Sequence, residues 1–280
     1  MADGQNRLVQ VSDLRLNVTE WGGADNPPLI LLHGLASSSH MFDLVAPELA
    51  ADYHVIAFDQ RGHGLSDKPT TGYDFETVAS DLDKLVEVLG LADKPFHLAG
   101  HSWGASTALY YAATRPERVQ KVILIDGGLR PVTEGFKSVE EMAPPQHQNW
   151  PIADVKHMIR EDWFGWAYRP ELEALALSIY DLSNPNDVQP YLKLAQHMQI
   201  AQALWDFRAA DYFSRVHAPV LAVLGIERGE TPSASLQEYV AAAQTSLKQF
   251  EVFWMPETIH DIPWHRPHEL VTIMRNFLES

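Results

Sequence analysis

Short apolar runs recur along the chain, separated by stretches of helical periodicity. Six of them, PPLILLHG, YHVIAFD, FHLAG, VQKVILID, APVLAVLG and QFEVFWMP, are largely apolar. Runs of this length predict strands covered on both faces, as in a parallel sheet. Ahead of them Leu14, Leu16 and Val18 alternate with polar positions, which predicts a half-buried strand. LVQV, across Ser12-Asp13, predicts its hairpin partner. Helical spacing appears between the runs. Asp74 reads as an N-cap, Phe75, Val78, Leu82, Leu85, Val86 and Leu89 share one face, and Gly90 closes the helix. Residues 105–113 predict a helix that stops before Pro116. Residues 235–243 are alanine-rich and predict another, and Leu270, Ile273, Met274, Phe277 and Leu278 predict a last amphipathic helix opened by Pro267.

Strand and helix alternate, so the expected fold class is α/β, with three layers around a mostly parallel sheet. The rhythm breaks between Ile125 and Val220. No convincing strand occurs there, and Trp, Tyr, Phe, Pro and His accumulate, as in EDWFGWAYRP. The stretch predicts a helical cap over residues 129–217, inserted into a core made of residues 1–128 and 218–280. A long helical crossover is the simpler alternative.

Composition narrows the partners. The 280 residues suit one large domain, or one domain carrying an insertion. Lys and Arg number 21 against 37 Asp and Glu, a formal charge of −16 that argues against nucleic acid and anionic membranes as partners. Without cysteine there is no disulfide, no thiolate nucleophile and no Cys-ligated zinc. The first ten residues are polar and no run approaches the length of a bilayer span. A cytoplasmic monomer or homodimer acting on a small molecule is expected. His260, Asp261, His265 and His268 crowd together in sequence, but not at metal-ligand spacing, so no metal is expected.

The stretch FHLAGHSWGASTALYY sets Ser102 between Gly100 and Gly104, where a strand-like run meets a helix-like one. Reactive loops of an open α/β sheet lie at the carboxyl ends of strands. A sharp strand-to-helix turn exposes the hydroxyl and holds the serine in strained backbone. It also brings together the residues two before and two after, where side chains would collide. The following helix directs its positive end at the site. An inert serine in a glycine-rich turn is the competing reading.

Four stretches, in order, resemble the α/β-hydrolase superfamily over nearly the whole chain. LLHGLASSSHMF is similar to its oxyanion loop and FDQRGHGLSD to the loop after its fourth strand. GHSWGA is similar to its nucleophile elbow, and HDIPWHRPHELVTIMRNFL to its terminal His loop and last helix. The resemblance implies Ser102 as nucleophile and His260 as base, although Ile259 stands where the family usually has glycine. It implies oxyanion donors in the backbone N–H groups of Leu35 and Trp103, structural roles for His33 and His63, and no cofactor. The acid is less direct. The family's usual G-x-x-D position reads Gly225, Ile226, Glu227, Arg228. Asp126, ending VILID, occupies the position some branches use instead, with Glu227 and Glu230 in reserve. Serine rather than aspartate at the elbow points to acyl transfer to water.

Met41, Phe42, Trp163, Trp166 and Trp205 are candidates for the pocket wall; a small core within the cap is the other reading of its aromatics. The expected activity is that of a carboxylesterase for small to medium apolar esters. A C–C bond hydrolase or lactonase with the same triad is the first alternative; a larger, more polar pocket with a cation for a carboxylate would favour it, and no arginine among Arg130, Arg160 and Arg169 stands out as that clamp. A receptor that binds a small molecule and barely turns it over is the second.

Overall fold

The hairpin at the start is present as β1 (Gln5–Val11) and β2 (Leu14–Trp21), paired antiparallel from Gln5↔Glu20 to Val11↔Leu14. The computed structural model describes residues 4–146 and 149–280. The first four apolar runs form β3 (Pro28–Leu32), β4 (His54–Phe58), β5 (Phe96–His101) and β6 (Val119–Ile125). The two-residue strands β7 (Tyr180–Asp181) and β8 (Gln189–Pro190) come next, then β9 (Val220–Gly225) and β10 (Phe250–Met255). The β7–β8 ladder was not expected. Two residues per strand are too few to leave a periodic signal.

The other strands make one eight-stranded sheet in the order β1-β2-β4-β3-β5-β6-β9-β10. It is parallel from β4 onward, and β2 joins β4 antiparallel. β3, β4 and β5 are buried along their whole length, which is why their sequences do not alternate.

Consecutive residues of the central strands enter opposite cores. Ile30 and Leu32 face one with Ile56, Leu98 and Leu124. Leu29 and Leu31 face the other with Val55, Ala99 and Ile123. The first core is closed by α2 (Phe75–Val88) and α3 (Trp103–Thr114), the second by α1 (Ala46–Leu49) and the C-terminal helix. Asp74 caps α2 by accepting from the Thr77 N–H, and Gly90 beyond its end takes a positive φ. Between β6 and β9 lie α4 (Ile152–Met158), a π-helical turn (Ile159–Phe164), α5 (Pro170–Leu177) and α6 (Leu194–Asp206). After β9 come α7 (Ala234–Ser246), α8 (Ile262–His265) and α9 (Pro267–Glu279). Among the described residues no helix is long and apolar enough to cross a membrane.

The strand order places the site. From β3 the chain steps to β4 on one side, then returns to β5 on the other side of β3. The loops leaving β3 and β5 therefore diverge, and the crevice between their carboxyl ends is where such sheets bind ligands.

Leu31 is fully buried in the sheet's centre. Leu31→Ala is expected to lower stability by about 2–5 kcal/mol through lost transfer energy and the cavity left behind, read as a lower urea midpoint at unchanged slope.

Candidate active site

Ser102 follows β5 directly and caps α3 with φ 55 and ψ −116, backbone that a residue with a side chain adopts only under constraint. The constraint is local hydrogen bonding. The Ser102 N–H donates to the Ile125 carbonyl at 2.9 Å, and the Ser102 carbonyl accepts from the Ala105 N–H at 3.0 Å. A Cβ on Gly100 would collide with the Gly104 carbonyl, and a Cβ on Gly104 with the Leu32 carbonyl of β3. The two glycines thus serve different contacts: one lets the turn close on itself, the other lets α3 begin against β3.

The loop after β3 lies across this turn. A Cβ on Gly34 would stand 3.1 Å from the Ser102 Cβ. Histidines brace the loop from behind. His33 donates from Nδ1 to the Gly34 carbonyl at 2.8 Å and accepts at Nε2 from the Gln60 N–H at 3.0 Å. His63 donates from Nδ1 to the Arg61 carbonyl at 3.0 Å and accepts from the Ala36 N–H at 3.3 Å. Burial pushes both rings below the usual histidine range, His63 well below, so each is a neutral donor–acceptor strut. The backbone N–H groups of Leu35 and Trp103 have no partner among the described residues, and both residues line the cavity beside Ser102.

His260 lies between β10 and α8, and its Nδ1–H donates to Asp126 Oδ2 at 2.6 Å. Asp126 opens the turn after β6 with φ 45, and its Oδ1 accepts from the Gly225 N–H at 2.8 Å. Both carboxylate oxygens are therefore committed. Glu227 and Glu230 sit exposed on the turn after β9, and among the described residues neither makes a hydrogen bond or ion pair with His260. Partial desolvation works against charge on His260, whose side chain is still 55% exposed, but the hydrogen bond and charge of Asp126, with the charge of Asp261, outweigh it and raise its pKa to about 9. Burial likewise opposes ionisation of Asp126. The His260 bond and charge, and the Gly225 N–H, prevail and hold its carboxyl below the usual range.

Residues 27–155 match the alpha/beta hydrolase fold family. The chain is 31% identical to 2-(acetamidomethylene)succinate hydrolase of Mesorhizobium japonicum, over 98% of this chain and 95% of that protein. This chain belongs to the α/β-hydrolase family. The crystal structure of E-2-(acetamidomethylene)succinate hydrolase superposes with a TM-score of 0.82 at 26% identity, covering 99% of this chain and 100% of that one. The thioesterase domain from the curacin biosynthetic pathway gives a TM-score of 0.79 at 20% identity, over 98% and 100% of the two chains, a likeness of fold alone.

In this α/β-hydrolase, Ser102, His260 and Asp126 open on one cavity of about 420 Å³. Its wall differs from the expected one. Leu129, Arg130, Val132, Phe136 and Met142, from the segment just after β6, line it with His197 and Leu204 of α6. Met41 and Phe42 are instead buried in the second core, just beyond the loop after β3. Trp163 turns its indole N–H to Asp261 Oδ2 at 2.6 Å and stacks on Phe164. Trp166 is 50% exposed, between His265 and Arg228. Trp205 is one helical step from Leu204, and that step of about 100° turns it off the wall Leu204 lines. Among the described residues no group of three His, Asp or Glu side chains is arranged to hold a metal ion.

The carboxylate that raises the His260 pKa is testable without turnover. Followed by NMR, the ring is expected to titrate at about 9 in the native chain. In Asp126→Asn the midpoint should fall, since the imidazolium loses the charge that favours it. An unchanged midpoint would mean that Asp126 is not the group holding the proton on His260.

Proposed function

We propose that Ser102, His260 and Asp126 are the catalytic triad of a serine hydrolase that cleaves a small ester or amide whose acyl group bears a carboxylate. The observation that carries the triad is the 2.6 Å bond between His260 and Asp126, at the rim of the cavity that the strained Ser102 also lines. In this reading His260 Nε2 takes the Ser102 proton as Oγ attacks the carbonyl carbon. The Leu35 and Trp103 N–H groups receive the oxyanion; loss of one such donor costs about 3 kcal/mol in comparable enzymes. Asp126 keeps the proton on Nδ1 and stabilises the imidazolium. His260 then protonates the leaving oxygen or nitrogen, and water repeats the sequence on the acyl-Ser102 to release the acid.

Two features support a carboxylate-bearing substrate. Arg130 lines the cavity and makes no ion pair among the described residues, leaving a cation beside the reacting groups. The relative matched over 98% of this chain is named for a succinate that carries an acetamidomethylene group. A plain carboxylesterase for apolar esters is the second reading. The apolar wall from Leu129 to Leu236 and the exposure of Arg130 favour it.

Hydrolysis of p-nitrophenyl butyrate and of a monoester of succinate should both vanish in Ser102→Ala. Persistence would sink the triad, and binding of either ester without native turnover would support a receptor. Asp126→Asn should lower kcat by about 10⁴-fold, as loss of the acid does in other triads. Near-native activity would move the role to Glu227 or Glu230. Arg130→Gln should raise KM for the succinate monoester about 10- to 100-fold, a charged hydrogen bond contributing about 1.5–3 kcal/mol, with little change for the butyrate. An equal effect on both esters would favour the plain carboxylesterase.

A further inference from the structure

Asp261 follows the proposed base and is only 8% exposed, yet the chemistry above gives it no part. Its Oδ2 accepts from the Trp163 indole N–H at 2.6 Å, and its Oδ1 lies 3.9 Å from His101 Nε2. His101, the last residue of β5 and the neighbour of Ser102, is 2% exposed. Its Nε2–H donates to the backbone carbonyl of His260 at 2.9 Å, while its Nδ1 is buried without a partner. Burial and the charge of His260 push its pKa down to about 4, so the ring is neutral and its proton sits on Nε2, where the acceptor is. The His101 and His260 ring centroids are 4.8 Å apart.

The segment that carries His260 is thus gripped from two sides. From the sheet, His101 holds its carbonyl. From the insertion between β6 and β9, Trp163 holds the next side chain. Trp163 belongs to the π-helical turn Ile159–Phe164, a geometry with weaker backbone bonding that recurs at functional sites. It stacks on Phe164 at 5.5 Å and 10°, and packs on Trp264 at 5.9 Å. Its indole is therefore fixed before it meets the carboxylate.

We propose that Trp163, Asp261 and His101 form a positioning network that sets His260 against Ser102 and joins the inserted segment to the base. Asp261 has a second effect: it places another negative charge beside the imidazole. The charged and titratable groups around His260 are Asp126 from the end of β6, Arg130 from the segment that follows, His101 from β5 and Asp261 itself. Two carboxylates favour the imidazolium and Arg130 opposes it. The network rests on the reading of His260 as the base; its electrostatic part does not depend on turnover.

Two variants separate the parts. Asp261→Asn keeps an oxygen for the indole N–H and removes only the charge. The NMR titration midpoint of His260 should fall below the native value, and the pH at which kcat/KM rises, as His260 loses its proton and can act as base, should move toward neutral with it. Trp163→Phe keeps the aromatic packing and removes the N–H. It should lower kcat about tenfold with KM within about twofold, as expected when a reacting group is displaced by a fraction of an ångström. Trp166→Phe, on the exposed side of the same insertion, is the control and should behave as the native chain. If both network variants lower only the melting temperature, with the His260 midpoint and kcat unchanged, the contacts are scaffolding and the proposal falls. If the native chain shows no turnover dependent on Ser102, the proposed function fails instead. The shift of the His260 midpoint in Asp261→Asn then decides the network alone.

Discussion

Backbone packed against backbone at the ends of β3, β5 and β6 is the constraint on which the site depends. α3 can begin where it does only because Gly104 lets it touch the Leu32 carbonyl, and the turn before it can close only because Gly100 has no side chain. Ser102 is then held in a conformation that costs about 1–3 kcal/mol for a residue with a Cβ. The sheet supplies the opposing force. The Ser102 N–H is bonded to Ile125 at the end of β6, and β6 is itself paired with β5 and β9. The serine is strained because the strands on either side of it cannot move.

The same geometry sorts the histidines. His33, His63, His97, His101 and His197 are buried, and burial pushes each below the usual histidine range. A neutral ring can donate at one nitrogen and accept at the other, which suits a strut between backbone groups. His260 differs because it is about half exposed and a carboxylate meets its Nδ1, so the charged form is favoured. One chemical group therefore serves as a neutral strut beneath the loop after β3 and, as His260, as a ring paired with a carboxylate beside the cavity that Ser102 lines.

Much of this was legible in the sequence because it is written in backbone requirements. The apolar runs, the Asp74 cap, the paired glycines and Pro267 at the start of α9 each report a local rule, and each element formed where its rule placed it. The pocket wall was not legible, because it depends on rotation. Leu204 and Trp205 are adjacent, yet only Leu204 reaches the cavity. Trp163 looks like a pocket aromatic until the π-helical turn directs it to Asp261. The residues that do form the wall, from Leu129 to Met142, lie in short turns with little periodicity, but their position directly after Asp126 was a usable signal. Arg130 stands only four residues beyond that carboxylate.

The placement of the carboxylate follows from strand adjacency. β6 and β9 are parallel neighbours, with Ile125 opposite Val223, so an acid just past either strand comes within reach of the same imidazole. With Asp126 on β6, the Gly225 N–H at the end of β9 becomes a donor to the carboxylate rather than the lead into an acid of its own. A second carboxylate after β9 would bring like charge against Asp126 and disfavour ionisation of both. The turn beyond Gly225 is thereby released from the site. It can project Glu227 and Glu230 into solvent and carry Arg228 over the Trp166 ring. An arginine where the family usually has aspartate is thus no defect of the site; it marks which of two adjacent strands supplies the charge.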